Sequence, residues 1–197
     1  MSLTLVELND NLTSLTLAPA LGASIVNWTV RDTSQPLLRH SDQHALNTGL
    51  PGKLACYPLV PCSNRIAKGG FDTPDGWLAL TPNSPLDPLP IHGSAWQQAW
   101  QGVSQATEEV VLEMACDPPV AYRAEQRFRL ENGELSITLR VTHLADRPAW
   151  HGLGLHPYLP RTAGTRLQAK ASQVWMSDAS KLPTELAPVP TAWDFQQ

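Results

Sequence analysis

The chain has 197 residues, 42% of them hydrophobic and 16% charged, with a formal net charge of −4 and a pI near 5.8. That balance suits one globular domain spanning 1–197 and excludes a disordered chain, and it offers neither nucleic acid nor an anionic membrane surface the basic face they require. No run of eighteen apolar residues predicts a transmembrane helix, and the three cysteines (Cys56, Cys62, Cys116) lack C-x-x-C spacing, which predicts reduced thiols in a cytoplasmic protein and not a disulfide frame or zinc site.

Alternation with a period of two dominates from the start. "SLTLVEL" and "LTSLTLAP", joined by "NDN", predict a hairpin. The opening has neither a basic region nor an apolar core, so no secretory signal is expected, and the N-x-T sequons at Asn11 and Asn27 are then chance matches. "GASIVNWTVRD" predicts a strand with Ile25, Asn27 and Thr29 on one face and Val26, Trp28 and Val30 on the other. Helical spacing is nearly absent. Only "HSDQHALN", between Pro36 and Gly49, predicts a turn or two of helix. "TPNSPLDPLP" at 81–90 carries four prolines and predicts a surface loop. "EEVVLEMAC" reads as a short strand. "AYRAEQRFRLENGELSITLRVTHL" reads as a hairpin, its tip Asn132-Gly133 supplying the positive φ that such turns need. The expected fold is all-β, a sandwich or barrel of short antiparallel strands with its chemistry on loops at strand ends.

Two of the six histidines stand among glycines, aromatics and proline: His92 in "PLPIHGSAWQQAW" and His156 in "WHGLGLHPYLPR". The plainer reading makes them core or turn histidines bonded to carbonyls. A metal site is not expected, because His151 and His156 are five apart, on opposite faces of a strand, with no carboxylate or thiol at zinc-like spacing. Cys62 paired with His92 or His156 has no cysteine-hydrolase signature around it, and a buried inert thiol is the better reading. No G-x-S-x-G elbow, P-loop or G-x-G-x-x-G is present. A further reading joins the parts. Asn64-Arg65, in "LVPCSNRIAKGGF", sets an amide beside a guanidinium, the two histidines supply an acid or donor, and Trp96, Trp100 and Trp150 lie near in sequence. Amide and guanidinium suit hydroxyls and an indole plane suits a sugar ring, although core packing accounts equally for at least half of the seven tryptophans.

The sequence resembles the aldose 1-epimerase (galactose mutarotase) family, and within it the bacterial general aldose epimerases. "SNRIAKGGF" at 63–71 is similar to the family's N-R-I…G-x-F segment, "IHGSAWQQAW" to its His-Gly motif followed by Trp, and "GLGLHPYLPR" to its His-x-Tyr motif. "LPTELAPVPTAWDF" resembles the P-T-G…D-F segment, with Glu185 where Gly is usual, and "LTLAPALGASIVNWTV" resembles the first strands. The five matches fall in family order along essentially the whole chain. The resemblance implies an antiparallel β-sandwich of the galactose mutarotase type and cofactor-free interconversion of the anomers of an aldose, by a monomer or homodimer whose partner is that small sugar. It makes His156 the general acid and His92 the residue assisting at the ring oxygen, with Asn64, Arg65 and Trp96 holding the sugar. The family's general base (a Glu) and the sugar-binding Asp before it have no counterpart here. Glu185 and Asp194 fall in a different motif. The expectation is therefore an N-terminal portion of such an enzyme, ending just after the D-F segment. The alternative is a non-catalytic carbohydrate-binding module of the same fold that lacks the base.

Overall fold

A computed structural model describes residues 3–117 and 120–193; the D-F pair, Asp194 and Phe195, lies outside them. By its contacts the chain falls into two compact units, Met1–Pro160 and Arg161–Gln197.

The first unit is mostly strand. β1 (Val6–Asn9), β2 (Thr13–Ala18), β3 (Ser24–Val30), β4 (Cys56–Leu59), β5 (Gly70–Thr73), β6 (Gly76–Ala79), β7 (Gln101–Gln105), β8 (Glu109–Cys116), β9 (Tyr122–Glu131), β10 (Glu134–His143) and β11 (Gly154–Pro157) follow in chain order. Five form one sheet in the order β1-β2-β3-β4-β11, and four form a second in the order β10-β9-β8-β7. β5 and β6 make a separate hairpin, and every named strand pair is antiparallel. The expected helix appears as α1 (Gln43–Asn47), where the Asp42 carboxylate accepts from the Ala45 amide as an N-cap.

Alternation decides which side chains meet. Leu8, Leu15, Leu17 and Ile25 of the five-stranded sheet are fully buried against Leu112, Phe128 and Leu130 of the other, so the two sheets form a sandwich around one core. Each such side chain contributes about 1.5–3 kcal/mol on burial. On β9, Arg123, Arg127 and Arg129 point the other way and meet Glu113, Glu109 and Glu131 on the surface. Leu135, Ile137 and Leu139 of β10 share the core face but are only partly covered, because β10 is an edge strand.

Asp10 ties two hairpin tips together. Its Oδ1 accepts from the Leu12 and Thr13 amides at 2.8 and 2.6 Å, and its Oδ2 accepts from the Gly133 amide at 2.6 Å. Asn132 and Gly133 adopt φ of 52° and 82°, the left-handed turn predicted by "ENG". Burial pushes the Asp10 carboxyl upward, but the bonds from Gly133, Thr13 and Leu12 outweigh it and hold the group below its ordinary range.

The second unit contains the hairpin β12 (Gln173–Ser177) and β13 (Pro183–Pro188). Asp178 closes its turn by accepting from the Leu182 amide at 3.0 Å. Trp175 is 60% exposed and Leu186 47%, so this hairpin encloses no core of its own. Among the described residues no helix is long and apolar enough to cross a membrane.

Candidate active site

The cluster begins on the face of β4 that turns away from the core. Cys56 packs into the sandwich while Tyr57 and Leu59 pack with Trp96 in a separate cluster, as a two-residue period dictates. β11 pairs with β4 so that His156 lies opposite Tyr57. Their rings stack at 4.8 Å with 14° between planes, and Tyr158 flanks His156 on its other neighbour position, also at 4.8 Å. Arg39 backs this wall, its guanidinium 3.7 Å over the Tyr158 ring and its Nη2 bonded to the carbonyls of Gly52 and Leu54.

His92 approaches from a loop. Its φ is +63° and that of Gly93 is +69°, and a Cβ on Gly93 would overlap the Val60 carbonyl, so glycine is required there. Asn83 clamps this turn. Its Nδ2 donates to the carbonyls of Ile91 and Gly93 at 2.9 and 2.7 Å, and its Oδ1 accepts from the Ile91 amide at 2.8 Å. The ring of His92 stands edge-on to His156 with centroids 5.5 Å apart.

Asn64 locks to His92 twice. The His92 amide donates to the Asn64 carbonyl at 3.0 Å, and the Asn64 amide donates to His92 Nδ1 at 3.1 Å. A backbone N–H is always a donor, so Nδ1 is an acceptor and the proton of the neutral ring sits on Nε2. Burial, then the neighbouring His156 and Arg65, depress the His92 pKa to about 4, against a raising effect of Asp87. His92 is therefore a neutral Nε2–H donor at pH 7. His156 Nδ1 is buried and has no protein partner.

Arg65 is not the open fork that the sequence suggests. Its Nε and Nη2 donate to Asp87 Oδ2 at 2.7 and 2.6 Å, leaving Nη1 within 3.4 Å of Asn64 Oδ1. The loop at 81–90 has no named strand, as expected, yet its Asn83 and Asp87 carry these contacts and are not solvent residues.

Of the expected residues, His92, His156, Asn64 and Arg65 come together. Trp96 joins from beneath: it is 9% exposed, lies 5.4 Å from Tyr57, and donates its indole N–H to the Gly93 carbonyl. Trp100 is core, with its indole N–H on the Ala95 carbonyl, and Trp150 is 76% exposed. Tyr57, Asn83 and Asp87 escaped the sequence reading, and Tyr158 entered it only as the Tyr of the His-x-Tyr motif, with no role given.

Behind the Arg65 turn lies a cleft of about 670 Å³, lined by Ile66, Phe71, Ile91 and Tyr122, which does not include His92 or His156. Cys62 and Cys116 border it, and burial raises the Cys62 thiol pKa, as suits an inert thiol. Among the described residues no group of three or more His, Cys, Asp or Glu side chains is arranged to hold a metal ion.

Known proteins carry the same arrangement of chain. The chain is 34% identical to the uncharacterized protein YphB of Escherichia coli K12 over 177 residues, covering 83% of this chain and 59% of YphB. The crystal structure of a candidate aldose 1-epimerase from Escherichia coli K12 superposes with a TM-score of 0.88 at 31% identity, covering 98% of this chain and 65% of that one. A GalM/aldose epimerase homologue from Caenorhabditis elegans superposes at 0.79 with 19% identity, covering 98% and 64%, which is a likeness of fold. The chain thus spans less than two thirds of the length of these relatives. The fold is the galactose mutarotase-type sandwich, and with the aldose 1-epimerase family model matching residues 4–197, the chain belongs to the aldose 1-epimerase family.

Proposed function

We propose that the cluster on β4 and β11 binds an aldose and takes the acid side of anomer interconversion. One observation carries this reading: the Asn64 amide on His92 Nδ1 leaves Nε2–H as the donor of a neutral ring whose centroid is 5.5 Å from that of His156. Two imidazoles at that spacing reach one sugar oxygen. His156 gives a proton to the ring oxygen while a base takes the proton of the anomeric hydroxyl. The C1–O5 bond breaks, the aldehyde forms, C1–C2 rotates, and reclosure on the other face returns both protons. His92 stays neutral and stabilises charge on the ring oxygen by hydrogen bonding. Asn64, Arg65 Nη1 and the Trp96–Tyr57 wall hold the sugar. The base is a group other than these residues, and the activity of the whole protein is part of the proposal. Three unpaired cysteines fit a reducing compartment such as the cytoplasm.

A second reading is a sugar-binding module of the same fold. It is favoured by Asp87, a carboxylate within the cluster that is already ion-paired to Arg65.

Polarimetry of freshly dissolved α-D-glucose and α-D-galactose, with titration calorimetry alongside, separates the two. Relaxation faster than buffer that His156→Ala slows by about 10²-fold or more supports the epimerase. Binding without acceleration supports the module. No binding of either sugar overturns both.

A further inference from the structure

Arg65 is the guanidinium beside Asn64, and its charge is spent before any ligand arrives. Asp87 holds it through two bonds to one oxygen, at 2.6 and 2.7 Å, with side chains only 16% and 9% exposed. Asp87 is itself fixed. Its Oδ1 accepts from the Leu89 amide at 3.2 Å, and its own amide donates to the Ser84 carbonyl at 3.3 Å. Pro85, Pro88 and Pro90 restrict the loop around it. The carboxylate therefore does two things at once. It aims the guanidinium plane, so that Nη1 is the donor turned toward Asn64. It also cancels the positive potential that a free arginine in a low-dielectric wall would present to an anion.

We propose that Asp87 is a positioning and specificity-determining residue: by holding Arg65 in a closed ion pair, it makes the site accept uncharged aldose hydroxyls and reject phosphorylated or carboxylated sugars. This rests on the sugar-site reading above. An arginine is the residue best suited to bidentate recognition of phosphate, so the loop at 81–90 is what keeps this one from doing so. The conversion from neutral to anionic recognition needs the removal of one charge and no new side chain.

The experiment is an amide chemical-shift titration of the full chain, followed at Asn64 and Arg65, with D-glucose, D-glucose 6-phosphate and inorganic phosphate. It compares the wild type with Asp87→Asn, Asp87→Ser and Asp87→Glu. The wild type is expected to respond to glucose and not to prefer the phosphate ligands. In Asp87→Asn, affinity for glucose 6-phosphate and inorganic phosphate should rise about tenfold and affinity for glucose should fall about three- to tenfold. Asp87→Ser removes the same charge with a smaller group and stands in if Asp87→Asn does not fold. Asp87→Glu keeps the charge and should not acquire phosphate binding, which a purely structural role would not predict. If the folded charge-removing variants gain no phosphate binding, the proposal falls, whatever glucose does. If the wild type binds no sugar while Asp87→Asn still gains phosphate, the sugar reading falls and the control of Arg65 by Asp87 stands.

Discussion

Two aspartates organise two clusters of turns in the first unit, and they are used in opposite ways. Asp10 spends both carboxylate oxygens on the backbone amides of Leu12, Thr13 and Gly133, while Arg31 donates to its carbonyl at 2.8 Å. Its knot is closed, and stability is what it supplies. Asp87 spends its charge on Arg65; nearby, the Asn64 amide takes His92 Nδ1, and His156 Nδ1 on β11 is buried without a protein partner. That cluster leaves a buried ring nitrogen unsatisfied, and it is the cluster for which sugar binding is proposed. Both places use positive-φ residues, Asn132 and Gly133 in the one, Asn64, His92 and Gly93 in the other. Turn strain alone therefore does not mark a site.

The contrast is broken most severely at Gly93. Gly93→Ala forces a Cβ into the Val60 carbonyl at a φ of +69°, so the His92 turn must rebuild. A loss of about 3 kcal/mol or more in a urea titration is expected, together with loss of sugar binding. Asp10→Ala comes next. It strands three amides and should cost about 2 kcal/mol, yet the surviving folded protein should bind sugar as the wild type does. Loss of binding at unchanged fold in this variant would mean the two clusters are not independent.

The smallest effect is in pH. The His92 pKa is lowered to about 4 from an ordinary 6.5, so between those values the unfolded chain takes up a proton that the folded chain refuses. Its share of stability is present above pH 6.5 and is lost as pH falls toward 4, an effect of about 1 kcal/mol after solvent screening. Asp10, held low, loses its share only as pH falls through the bottom of the carboxylate range. Urea midpoints between pH 7 and 4 should thus slope downward in the wild type and less so in His92→Gln. Equal slopes would remove His92 as the source.

Much of the fold was legible because the period-two alternation of β9 and β10 and the Asn132-Gly133 tip are local, and a strand with one buried face writes its pattern directly into the chain. α1 was legible for the same reason, through Pro36 and Gly49 on either side of it, although its Asp42 N-cap was not. Four of the proposed site residues were legible as motifs, since His92 and His156 sit among glycines and prolines and Asn64-Arg65 follows a strand into a turn. Trp96 was legible as an aromatic but not as a buried one, because exposure depends on what Tyr57 and Gly93 place around it.

By itself the sequence determined β1–β3 and β8–β10 and the Asn132-Gly133 turn, because φ/ψ preference and hydrophobic alternation act over a few neighbours. It did not determine the faces of β3, where an irregularity against β2 lets Ile25 and Trp28, expected on opposite faces, pack against the same core. Only the tertiary structure decided that Arg65 is paired and not open, that Asp87 and Asn83 in a proline-rich loop hold Arg65 and the His92 turn, and that Tyr57 stacks on His156. Those are contacts between residues 8 to 99 positions apart, and partners at such separations are set by how the strands and loops fold back on one another, which no local pattern encodes.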